Sequence, residues 1–170
     1  MIAVVSDTHG REDHRLEGRT LAAVREADLV VHAGDFTTPA VVDAFAAESA
    51  DFAGVYGNND PPAVRDRLPA VAVRDRDGAR LTVVHGHEHD ETALSLLGRQ
   101  ERADLVVFGH SHRPSVVETP DLTLLNPGSH ADPRWHRPAH AELVPAAGGL
   151  DGRLVEPDGT VFETFDVNTS

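Results

Sequence analysis

At 170 residues the chain is long enough for one domain with a sizeable core and short for two, and no apolar run approaches the ~20 residues of a membrane-spanning helix. Acidic residues outnumber basic ones 28 to 15, for a formal net charge of -13, and such a surface repels nucleic-acid backbones and anionic membranes, which excludes general binding to either. There is no cysteine, and so no disulfide and no thiolate metal site.

The opening residues, MIAVVSDTHG, lack a basic stretch and a small-residue cleavage site, so a cytoplasmic protein is expected. Every basic residue is arginine, and high acidity without lysine points to adaptation to a salt-rich cytoplasm, where ions screen self-repulsion.

In chain order, IAVV (2–5) reads as a buried strand that runs into Ser6 and Asp7. Residues 16–27 have apolar side chains at helical spacing, with Leu21, Val24 and Ala27 available for one face. LVVHAGD (29–35) repeats the strand-then-acid pattern, and residues 39–47 suit a helix with proline in its first turn. FAGVYGNND (52–60) is a strand entering a polar loop, LTVVHGH (81–87) a strand ending in histidines, residues 91–102 a helix, and LVVFGHSH (105–112) another strand ending in histidines. This β-α-β-α order implies a largely parallel sheet covered by helices. After Arg113 the texture changes to short strands at 115–118, 122–126, 140–144, 153–156 and 161–167, mostly antiparallel, with a hairpin-type turn at Pro157-Asp158-Gly159 and a loop at 146–149. No repeat or linker interrupts the chain, and one domain over residues 1–170 is expected.

The side chains with metal-binding chemistry stand where successive strands end: Asp7 and His9, Asp35, Asn58 and Asp60, His85 and His87, His110 and His112. In a parallel sheet these carboxyl ends share one rim, where ligand sites form. Carboxylates, imidazoles and an amide suit borderline divalent ions: imidazole favours Zn, Ni or Fe, and oxygen donors admit Mn and Mg.

The order Asp7-x-His9, Gly34-Asp35, Gly57-Asn58-Asn59-Asp60, His85-Gly86-His87 and Gly109-His110-Ser111-His112 resembles the calcineurin-like metallophosphoesterase superfamily, and in detail its small bacterial and archaeal phosphodiesterase branch. Asn126-Pro127-Gly128-Ser129 matches that branch as well. The resemblance implies an α/β fold, a sandwich of two mixed parallel and antiparallel sheets flanked by helices. It implies two divalent ions, Mn2+ first with Ni2+, Zn2+, Fe2+ and Mg2+ as alternatives. Asp7, His9 and His112 would hold one ion, Asn58, His85 and His110 the other, and Asp35 would bridge them. A water shared by the two ions would then attack phosphorus in line. Asp35, Asn59, Asp60 and His110 are the candidate catalytic residues. Most of the superfamily has histidine, a candidate general acid, where this chain has Asn59; an amide has no titrating proton to give. Asn59 is left to hydrogen-bond a phosphate oxygen, and Asp60 to orient a ligand histidine.

The remaining histidines and arginines read more simply. His32 is expected as a satisfied core group, His87 and His89 in a solvated loop, and His14, His130, His136 and His140 at the surface. Trp135 is expected in the core or a subunit contact, and Arg11 and Arg134 are candidates for phosphate contact. The substrate expected is a small phosphodiester, with a possible homo-oligomer. A phosphomonoesterase and a non-catalytic protein-interaction scaffold of the same fold are the competing readings, and erosion of the ligand set, which would accompany the scaffold, is not seen here.

Overall fold

The computed structural model describes residues 1–169. Its elements in order are β1 (Ile2–Val5), α1 (Gly18–Glu26), β2 (Leu29–His32), α2 (Pro39–Glu48), β3 (Phe52–Gly54), α3 (Pro62–Arg65), β4 (Val71–Arg76), β5 (Ala79–Val84), α4 (Glu91–Glu101), β6 (Leu105–Val107), β7 (Ser115–Thr119), β8 (Leu122–Asn126), β9 (His140–Ala146), β10 (Gly149–Val155) and β11 (Val161–Asn168). They make two sheets, one in the order β11-β10-β9-β1-β2-β3 and the other β4-β5-β6-β8-β7. β1, β2 and β3 run parallel, as do β5, β6 and β8, while β4, β7 and the β9-β10-β11 meander pair antiparallel. The mixed two-sheet sandwich flanked by helices is therefore the fold.

Period-2 side-chain alternation divides the central strands between two cores. Ile2, Val4, Leu29 and Val31 face inward and meet Leu81, Val83, Leu105 and Leu125 of the second sheet. Ala3, Val5 and Val30 face outward against Val24 of α1 and Val41 and Phe45 of α2. On the opposite side Val84, Val106 and Leu124 pack with Leu94 of α4. Strands buried on both faces read as continuous apolar runs, which is why they stand out in the sequence. Two helix starts are fixed by side-chain caps: Thr38 accepts from the Val41 amide at α2, and Asp90 from the Ala93 amide at α4.

Several boundaries differ from expectation. β2, β3, β5 and β6 stop at His32, Gly54, Val84 and Val107, so the chemistry-bearing residues lie in the loops that follow the strands. β4 was not expected, because VAVRDR reads as too charged; it is the edge strand of a hairpin whose turn, Asp77-Gly78, has φ of 52° and 84°. The loop expected at 146–149 is only the turn between β9 and β10, and β10 starts at Gly149. The short helix α3, also not expected, follows Asp60 directly.

Candidate metal centre

The five loops that leave the carboxyl ends of β1, β2, β3, β5 and β6 converge, and their backbones are unusual. Asp7, His9, Asp35, His110 and His112 have φ of 53°, 45°, 63°, 67° and 60°. Left-handed backbone is uncommon for residues other than glycine, and it clusters where surrounding structure holds functional side chains in place. That structure is visible: the Asp7 amide donates to Gly34 O at 2.9 Å, the His9 amide to Asp35 O at 3.1 Å, and the Gly109 amide to His85 O at 3.0 Å. The loops are so close that a Cβ on Gly57 would lie 2.1 Å from Asp35 Oδ1, and one on Gly109 would lie 2.6 Å from Asp7 Oδ2.

Asp7, His9 and His112 bring their ligand atoms within 4.8 Å of one another. Asp7 Oδ1, His9 Nε2 and His112 Nε2 are buried and have no hydrogen-bond partner. Buried polar atoms are almost always paired, so three orphans facing one point mark a place for a cation. The outer ends of these side chains are committed. Asp7 Oδ2 accepts from Ser6 Oγ at 2.6 Å and from the His110 amide at 3.0 Å. His112 Nδ1 donates to Asp132 O, which leaves the Nε2 lone pair free. Burial pushes the Asp7 carboxyl up to about 7, with Asp35 adding to the effect.

In a second group, Asp7, Asp35 and His85, the ligand atoms likewise lie within 4.8 Å of one another. His85 Nδ1 donates to Ala33 O at 2.7 Å, so its Nε2 presents a lone pair to Asn58 Oδ1 at 3.0 Å and to Asp35 Oδ2 at 3.4 Å. Three electron-rich atoms face each other there, an arrangement that a positive charge resolves. Burial pushes the His85 pKa down, but Asp35 and Asp7 outweigh it and the ring's pKa is raised. His110 Nδ1 lies 3.0 Å from Asn58 Oδ1. Asp35 Oδ2 also lies 3.4 Å from His9 Nε2, so its carboxylate stands between the two sets. All seven sequence-predicted ligands are thus brought together, and their donor types fit divalent ions. For Asp35 burial acts upward, yet His85 and two hydrogen bonds from Asn59 hold the carboxylate well below its usual range.

Among the supporting residues Asp60 departs from expectation. Asp60 orients no histidine; its Oδ2 accepts from the amides of Asp35 at 3.0 Å and Gly57 at 2.7 Å, and its Oδ1 from the Thr37 amide at 2.7 Å. Asn59 donates from Nδ2 to Asp35 Oδ2 at 2.6 Å and from its backbone to Oδ1 at 2.9 Å. Arg65, missed in the sequence, lies over the Tyr56 ring and donates to Asp60 O at 2.8 Å and Asn58 O at 3.0 Å. Asn126 bonds Gly109 O and the Gly128 amide, and Ser129 Oγ bonds Asp7 O, so that turn supports the site.

His32 is the satisfied core group expected: it accepts from the Gly34 amide at 3.1 Å and lies 3.0 Å from Thr8 Oγ1. His87 is exposed at the rim, its ring centroid 5.5 Å from that of His85. His14 and His140 are buried rather than superficial, and His130 is half-buried. His14 Nδ1 accepts from the Leu16 amide, and Thr20 Oγ1 joins His130 to His140, which donates to Glu142. Trp135 is not in the core; it is 84% exposed beside the exposed Arg134. Among the described residues no helix is long and apolar enough to cross a membrane.

A protein named probable metallophosphoesterase in Methanothermobacter thermautotrophicus is 30% identical over 170 residues, which cover 98% of each chain. A phosphodiesterase of Methanocaldococcus jannaschii is 25% identical over 141 residues, 75% of this chain and 82% of that one. Among solved structures, Vps29 of Entamoeba histolytica complexed with zinc superposes with a TM-score of 0.79 at 22% identity, over 98% of this chain and 99% of that one. The model of the calcineurin-like phosphoesterase superfamily domain matches residues 1–146. With that match covering most of its length, the chain belongs to the calcineurin-like phosphoesterase superfamily.

Proposed function

We propose that the protein is a phosphodiesterase that works with two divalent ions. Asp7, His9 and His112 hold one, Asn58, His85 and His110 the other, and Asp35 is shared. The observation that carries this reading is the set of buried, unpartnered atoms Asp7 Oδ1, His9 Nε2 and His112 Nε2, with Asp35 Oδ2 3.4 Å from rings of both sets. Ions bound there supply Lewis-acid polarisation of the phosphoryl group and lower the pKa of an attacking water. The chain's own contribution is placement. Asp60 and Arg65 hold the Asp35 and Asn58 loops, and Asn59 fixes the shared carboxylate. The mixed imidazole and oxygen donors admit Ni2+, Zn2+, Fe2+, Mn2+ and Mg2+, and it is the family resemblance that puts Mn2+ first.

The phosphodiesterase name of the Methanocaldococcus relative supports a diester substrate. Likeness to Vps29 is one of fold, and the complete ligand set supports catalysis over a scaffold role. Hydrolysis of bis-p-nitrophenyl phosphate tests the reading: turnover that depends on added Mn2+ and is lost in Asp35→Asn supports it, and metal-loaded wild type without turnover rejects it. Cytoplasmic location, supported by the lack of cysteine, and salt adaptation, supported by the net charge of -13 without lysine, belong to the same proposal. A melting temperature unchanged between dilute buffer and molar KCl rejects the salt adaptation.

A further inference from the structure

The loop between β8 and β9 carries two exposed side chains that take no part in holding the candidate ligands, Arg134 and Trp135. The loop is fastened to the candidate metal centre. The Asp132 carbonyl accepts from His112 Nδ1, and the Asp132 amide donates at 2.9 Å to Ser129 Oγ, which itself bonds Asp7 O. Trp135 is three residues beyond that anchor, at most ~11 Å of chain away. The His136 amide donates to Pro133 O at 2.9 Å and closes a four-residue turn with Arg134 and Trp135 at its tip. Arg134 has φ of 55° there, a left-handed backbone that is uncommon for a residue with a Cβ and gathers at ligand sites.

Arg134 makes no hydrogen bond or ion pair among the described residues, although the chain has 28 acidic side chains. Arg137, in the same loop, shows the usual outcome: its Nε lies 3.3 Å from Glu156 Oε1 and its guanidinium covers the Phe162 ring, 4.5 Å from the centroid. The charge of Arg134 reaches the metal centre instead. His110 and His112 both have lowered pKa values, burial being the main cause and Arg134 adding to it in each. A guanidinium in that place offers a planar fork to the non-bridging oxygens of a phosphate. Trp135, the sole tryptophan, is 84% exposed, and among the described residues its one ring contact is His136, 6.0 Å between centroids. A large apolar face beside an unpaired cation suits an anion that carries a flat ring, since stacking tolerates many rings and tryptophan has few rotamers to lose. A cationic partner is repelled by Arg134, and an anionic membrane by the net charge of -13.

We propose that Arg134 and Trp135 form a substrate-holding arm at the rim of the metal centre, with Arg134 on the phosphate and Trp135 stacked on a planar ring in one ester substituent. This assignment rests on the phosphodiesterase reading above and deepens it: the substrates are diesters with at least one ring-bearing substituent.

Because Trp135 is the sole tryptophan, its emission reports the contact directly. The zinc-loaded protein is titrated with thymidine 5′-phosphate, phenyl phosphate and methyl phosphate, and calorimetry gives each Kd. The two ring-bearing phosphates are expected to change the emission saturably, over the concentrations at which calorimetry shows them bound, and methyl phosphate is expected to bind without changing it. Stronger binding of thymidine 5′-phosphate assigns the ring to a nucleobase, and stronger binding of phenyl phosphate to a simple aryl group. Trp135→Ala is expected to weaken the ring-bearing phosphates roughly tenfold and methyl phosphate far less, whereas Arg134→Ala is expected to weaken all three by a similar factor, as for one lost stack and one lost charged hydrogen bond. Both side chains are exposed, so neither variant is expected to disturb folding. Thymidine 5′-phosphate that binds without affecting the emission, or a Trp135→Ala variant that weakens all three probes alike, overturns the arm and leaves the phosphodiesterase reading intact. An emission maximum that shifts with protein concentration in the absence of phosphate places Trp135 in a contact between copies of the chain and overturns the arm as well. A zinc-loaded protein that binds none of the three phosphates overturns both.

Discussion

The Asp60 carboxylate accepts the Asp35 amide at 3.0 Å and, through the same oxygen, the Gly57 amide at 2.7 Å, so one buried acid ties the loops after β2 and β3 together. With the Thr37 amide it satisfies three donors that have no other role in the sheets. Asp60→Ala strands those amides in a dry environment and is expected to cost about 3–5 kcal/mol, measured by urea unfolding. A loss under 1 kcal/mol is incompatible with this role.

Arg65 acts on the neighbouring loop from outside. Its guanidinium spans the carbonyls of Asn58 and Asp60, a fork that a lysine cannot reproduce. Both Arg65→Ala and Arg65→Lys are expected to weaken the second metal-binding event by roughly tenfold, in line with other residues that orient metal ligands. The first event, at Asp7, His9 and His112, is expected to stay unchanged. Calorimetric titration resolves the two, and equal weakening of both contradicts the assignment.

The protonation of the apo site sets a pH dependence for metal binding. Burial pushes the Asp7 carboxyl up to about 7, and nearby carboxylates raise the His85 pKa above its ordinary 6.5. At lower pH both groups carry protons that an incoming ion must displace. Affinity therefore rises with pH and is expected to fall about tenfold for each unit below 7 through the Asp7 proton, with the His85 proton steepening the fall. Titrations in buffers of different ionisation enthalpy check the proton release, and binding that is independent of pH between 5.5 and 7 counts against the perturbed acid.

Asn59 stands where much of the superfamily carries a histidine, and its amide is engaged with Asp35 Oδ2. Without a proton donor at that position, substrates with good leaving groups are expected to react far faster than matched alkyl diesters. Asn59→His is expected to narrow that ratio. Equal rates for matched aryl and alkyl diesters in the wild type dispose of the idea.

Much of the site was legible because its residues follow strands buried on both faces. Asp7, Asp35, His85 and His110 interrupt apolar runs that leave little doubt about the elements before them. The edge strand β4 was not legible from Val71-Ala72-Val73-Arg74, since an edge half in water tolerates charge, although Asp77-Gly78 was a usable hairpin marker. The role of Asp60, though the residue itself stood out, and Arg65 altogether were opaque for another reason: their hydrogen-bond partners are backbone groups, which no side-chain pattern reports. His14, His130 and His140 were placed at the surface by the general habit of polar residues. Thr20 and Glu142 become partners of His130 and His140 only when β9 pairs with β1 and α1 packs across them, and His14 is held by the Leu16 amide of its own loop.

The most direct test of the account is the metal stoichiometry of the purified protein, titrated with Mn2+ or Zn2+ in wild type, His112→Ala and His85→Ala. Two ions per wild-type chain, with one lost in each variant, are the result expected if Asp7, His9 and His112 form one site and Asn58, His85 and His110 the other. A single ion per chain in the folded wild type, or full binding retained in either variant, contradicts the two-ion centre on which the proposed chemistry depends.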